Sequence, residues 1–70
     1  PNLNPMLEVT KKILKEVSFD RQLFQKELSK SLRWMTSKEE LKRLQEWCIS
    51  EFGNVYPLII RNTFAQSALQ

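Results

Sequence analysis

Asn54-Val55-Tyr56-Pro57-Leu58-Ile59-Ile60 is the stretch on which the architecture turns. Its β-branched and aromatic residues have the composition of a strand. No second run in the chain is available to pair with it, and an isolated strand cannot satisfy its backbone. The alternative is a helix capped by Asn54, with Pro57 in the first turn where a missing donor does no harm. That reading predicts a last helix from about residue 55 to 66 and an all-α chain. Leu58, Ile59, Ile60, Phe64 and Leu69 are distributed around it and not along one side, so it is expected to be well covered.

Upstream, Thr36-Ser37-Lys38-Glu39-Glu40 contains two overlapping capping boxes, Thr36 with Glu39 and Ser37 with Glu40. Both carboxylates also complement the positive end of a helix dipole. A helix over 37–52 follows, expected to bury Leu41, Leu44, Cys48, Ile49 and Phe52. Gly53 is expected to end it in the left-handed conformation that glycine adopts without steric cost. The preceding helix spans 20–35 and stacks Phe24, Leu28, Leu32 and Met35 on one stripe, after a turn at Ser18-Phe19-Asp20 whose residues favour caps over helix interiors. The first helix covers 5–17, capped by Asn4 with Pro5 at its first position. It gathers Met6, Leu7, Val9, Thr10, Ile13, Leu14 and Val17 on one side. Glu8 and Lys12 are set to pair at i, i+4.

The fold class is therefore a small all-α domain of three or four helices, orthogonal or bundle-like, occupying residues 1–70. The expected core includes Val9, Ile13, Phe24, Leu28, Leu32, Leu41, Leu44, Cys48, Phe52, Ile60 and Phe64. A chain of 70 residues buries only about 60% of its unfolded surface, so stability is marginal and association with another chain is favoured. Cys48 is the single cysteine, which excludes an internal disulfide, and the absence of histidine disfavours structural zinc. No signal-peptide pattern opens the chain and no apolar run approaches a membrane span, so a cytoplasmic protein without membrane contact is expected.

Few residues suggest chemistry. With no histidine, a general base near neutral pH would need a strongly perturbed carboxylate or lysine. Glu39 and Glu40 are better explained by capping, and Cys48 lies on an apolar stripe, where a thiol is inert. One glycine cannot build a phosphate-cradling loop, and no carboxylates have calcium-loop spacing. No enzyme activity, cofactor, metal or small-molecule substrate is expected. Lys11, Lys12 and Lys15 make the first helix basic, but it is short and has no aromatic anchor for a bilayer surface. A compact helical domain with charged faces is similar to many short bacterial proteins, and no motif names a family.

Two binding readings remain. In the first, the second helix carries an additional apolar strip, Leu23 and Trp34 with Phe19 at its start, flanked by Lys26 and Lys30. A bundle helix needs only one such strip, so either a neighbouring helix covers this one or it receives a partner protein or a second copy. Trp47, between Arg43 and Glu51, is at the edge of its own stripe in a similar way. In the second reading the helices around Met35-Thr36-Ser37 form a helix-turn-helix that binds nucleic acid, with Arg21, Arg33, Lys42 and Arg43 near phosphates. The net charge of +3 permits this, but a recognition helix opening with Lys38-Glu39-Glu40 would turn carboxylates toward phosphates. Interaction with protein is the expected role, as a binding or regulatory module.

Overall fold

A computed structural model describes residues 5–68. The chain forms α1 (Pro5–Glu16), α2 (Arg21–Trp34), α3 (Lys38–Phe52) and α4 (Pro57–Ala68), with no strand among the described residues. The expected all-α, bundle-like class is the one observed, in its four-helix form. Asn4 and Leu69, assigned above to a cap and to the last helix, lie outside the described residues.

Local chemistry accounts for most boundaries. Asp20 caps α2: one of its carboxylate oxygens accepts from the backbone N–H of Gln22 at 2.9 Å and of Leu23 at 3.1 Å. At α3 one capping box forms instead of two. Ser37 is the cap, its hydroxyl accepting from Glu40 N–H at 3.1 Å, while Glu40 Oε1 accepts from Thr36 N–H at 3.1 Å. Glu39 is drawn away from Thr36 to Arg43, one turn on, at 3.2 Å. On α1, Glu8 pairs with Lys11 at 3.6 Å and not with Lys12.

The α3–α4 connection departs from expectation twice. Gly53 is right-handed, with φ −62° and ψ −27°, and its N–H donates to Ile49 O at 3.0 Å. The chain then continues in the same hand, and Val55 and Tyr56 both donate to the carbonyl of Phe52. Asn54 is consequently inside a turn and caps nothing. Helix α4 begins at Pro57 because a residue before proline is pushed out of the helical region, making Tyr56 the boundary. Its carbonyl accepts the first helical bond, from Ile60.

The helices pack in a ring: α1 on α2, α2 on α4, α4 on α3 and α3 on α1. Consecutive α2 and α3 are therefore diagonal and not side by side. Phe24 fills the centre, fully buried, with its ring 5.0 Å from Phe52 and 4.8 Å from Tyr56. Leu14, Leu28, Leu44 and Cys48 are equally enclosed, and Leu32, Ile60 and Phe64 complete the expected core. Four residues read as core are not. Val9 and Ile49 are exposed, and Ile13 and Leu41 are half-buried. Helix α1 packs chiefly on α2 and α3. It buries the narrow stripe Leu7, Thr10 and Leu14, at i, i+3 and i+7. On α4, Ile59, Ile60, Thr63 and Phe64 are buried while Leu58 is exposed, so this helix too has one inner side.

Candidate interaction surfaces

The strip on α2 is uncovered. Phe19 is 79% exposed, Trp34 60% and Leu23 37%, and Lys26 and Lys30 are exposed between them. No neighbouring helix closes over Trp34. The geometry nevertheless disperses the strip: Leu23 and Trp34 share a side but stand about 16 Å apart along the axis, with the two lysines in the interval. The apolar area is thus two separated points and not one patch.

The four cations of the nucleic-acid reading are scattered as well. Arg21 opens α2 and Arg33 is in its last turn, about 18 Å away. Arg33 borders a small hollow against α4, shared with Thr63 and Gln66. Arg43 is engaged by Glu39. Lys42 is on the same helix, in a shallow depression that also contains Glu39 and Glu46. The diagonal placement of α2 and α3 does not reproduce the packed pair of a helix-turn-helix. Trp47 has an internal role: half-buried, it meets the edge of Phe52 at 5.6 Å and carries Lys11 Nζ 5.9 Å above its ring, joining α3 to α1.

Cys48 is buried within the ring of helices, and burial pushes its thiol up from 9.0 to about 12. A thiolate nucleophile needs the opposite shift.

One concavity was not anticipated from sequence. Helices α3 and α4 border an open groove of about 990 Å³. Its α3 wall is Lys38, Leu41, Lys42, Gln45 and Ile49, one side of a helix, with the adjacent pair Leu41-Lys42 three or four residues from Lys38 and from Gln45. Its α4 wall is Pro57, Ile60, Arg61, Phe64 and Ala65, with Gly53 at one end. The floor is apolar, and Lys38, Lys42 and Arg61 stand at the rim. No acidic side chain lines it, and none of the three cations makes an ion pair among the described residues. Ile49, 55% exposed, is the part of the floor most open to solvent.

Two signals in the sequence point to this groove in retrospect. Helix α4 contains Arg61 as its sole charged residue. On α3, Lys38 and Lys42 stand between the apolar lining of the groove and a shallow depression that also holds Glu39, Arg43 and Glu46. Among the described residues, no helix is long and apolar enough to cross a membrane, and no group of three potential metal ligands occurs. Comparison of the chain with known protein families, with characterised proteins and with solved structures finds no match.

Proposed function

We propose that this chain is a non-enzymatic protein-interaction domain that receives its partner in the groove between α3 and α4. The observation that carries the reading is the combination of an apolar floor with a rim of unpaired cations. A protein partner buries apolar area at the centre and leaves charge at the edge. Backbone–phosphate recognition has no use for the floor of Leu41, Ile49, Ile60 and Phe64, which is why protein ranks above nucleic acid. The inert setting of Cys48 supports a role without covalent chemistry, and a single free thiol suits a reducing compartment such as the cytoplasm.

A photo-crosslinking amino acid placed at Ile49 tests the reading in the cell of origin. It should trap a second polypeptide in a product that the same probe at Gln25, exposed on α2, does not give. Equal yields at both positions, or none at Ile49, would remove the groove as the binding face.

The exposure of Trp34 and Phe19 favours a second reading, self-association through α2. Sedimentation across a concentration series decides it. If correct, Trp34→Ala dissociates a dimer and leaves the helical signal intact, whereas a monomer throughout the series ends the idea.

A further inference from the structure

We infer that the occupant of the α3–α4 groove is an acidic amphipathic helix of about three turns, supplied by a different protein; this rests on the groove being the docking face. The groove itself sets the length. From Lys38 to Ile49 the α3 wall runs twelve residues, about 16 Å, which a helix of about twelve residues matches end to end. The secondary structure of the occupant follows from its backbone. A peptide that docks by strand addition needs a sheet edge to take up its N–H and C=O groups, and both walls here are helices whose backbone bonds are internal. A helix satisfies its own backbone and presents side chains at i, i+4 and i+7 to the floor between Ile49 and Phe64.

Charge selects among helices. Lys38 and Lys42 line one wall and Arg61 the other; no carboxylate lines the groove, and Glu39 and Glu46 border the two lysines only from the adjoining depression on α3. Glutamates flanking the apolar stripe of the incoming helix would meet cations on both sides, and lysines there would be repelled from both. The same argument disfavours a second copy of this chain as occupant. Its exposed α2 strip is flanked by Lys26 and Lys30, so that helix would bring positive charge to a positive rim.

The test uses three synthetic helical peptides of about 16 residues with leucines at i, i+4, i+7 and i+11, differing only in the flanking residues: glutamate, glutamine or lysine. Each is titrated into the full 70-residue chain, with the amide resonances of Ile49 and Ala65 as the site-specific readout. The glutamate peptide is expected to shift these amides and to bind about tenfold more tightly than the glutamine peptide, with the lysine peptide weakest. The preference should fade as salt is raised from about 0.05 M to 0.5 M. In Lys42→Glu/Arg61→Glu the order of the glutamate and lysine peptides should invert. Both positions are exposed, and the helical circular dichroism signal verifies folding; if the double variant is unfolded, Lys42→Gln must still lower glutamate-peptide affinity.

Equal binding of the glutamate and glutamine peptides at these amides overturns the acidic occupant while keeping the groove as a docking face. Failure of all three peptides to move them overturns both. A short DNA duplex that shifts them at lower concentration than the glutamate peptide replaces protein with nucleic acid as the partner. Concentration-dependent shifts without any peptide replace it with a second copy.

Discussion

Tyr56 Oη donates a 2.7 Å hydrogen bond to the carbonyl of Ser18, 38 residues away in sequence. The bond ties the α1–α2 turn to the residue that precedes α4, and the same Tyr56 ring lies 4.8 Å from Phe24. Polar tip and apolar ring therefore act on different partners and can be separated. Tyr56→Phe should keep the ring contact and cost about 1 kcal/mol, the usual net value of one hydrogen bond. Tyr56→Ala should cost about 3 kcal/mol, because the contact with Phe24 is lost as well. Urea unfolding of the two variants checks this, and equal losses would show that the hydroxyl contributes nothing.

Cys48 makes stability depend on alkaline pH. Its thiol titrates at about 12 in the folded chain and near 9 when exposed, so the folded state holds the proton that the unfolded state releases. The contribution is complete below about pH 9 and is lost as pH rises toward 12, at roughly 1.4 kcal/mol per unit. The comparison is with Cys48→Ala, which lacks only the thiol. Wild type should lose stability faster than the variant above pH 9, and parallel curves would contradict the burial argument. Below pH 9 the native thiol should also resist alkylation until the protein is unfolded.

The two hydroxyls before α3 should behave unequally. Ser37 holds the cap, so Ser37→Ala should cost about 1 kcal/mol. Thr36 contributes only its backbone N–H, to Glu40, and Thr36→Ala should cost a few tenths of a kcal/mol. Asp20→Ala, which removes the acceptor of two N–H bonds, should resemble Ser37→Ala. Chemical denaturation midpoints rank the three, and a Thr36→Ala effect as large as that of Ser37→Ala would restore the shared cap that the sequence suggests.

Gly53 presents a case in which helical φ and ψ mislead. At such angles Gly→Ala ordinarily stabilises by up to about 1 kcal/mol. Here an added Cβ would overlap the carbonyl oxygen of Ile49, which is backbone and cannot swing aside. Gly53→Ala should therefore destabilise, by about 1 kcal/mol or more. A raised melting temperature would disprove the close approach.

Helix existence was readable because capping and periodicity are written within a few residues of one another. Asp20, Ser37 and the Phe24-Leu28-Leu32 stripe each have a local physical cause. The side of α1 that becomes core was not readable: Val9 and Leu7 are equally apolar, and only the positions of α2 and α3 select Leu7. The groove was hidden for the same reason. Leu41 and Ile49 read as core so long as α4 is assumed to close against α3, and how closely two helices pack is a property of the pair. The strip at Phe19, Leu23 and Trp34 was visible as surplus apolar residues, but its dispersal over about 16 Å becomes apparent only with Lys26 and Lys30 in place.

The ring order of packing divides the chain into two helical hairpins, α1–α2 and α3–α4, docked on each other through α2·α4 and α1·α3. What joins them is the short link Met35-Thr36-Ser37, whose outer residues are already extended, Met35 at φ −79° and ψ 129° and Ser37 at φ −130° and ψ 152°. Two copies that traded hairpins would reproduce each interhelical contact of the monomer and would need to reorient only this link. Exchange of halves would then be governed by protein concentration and by the length of three residues, with no contribution from the outer surface of either copy.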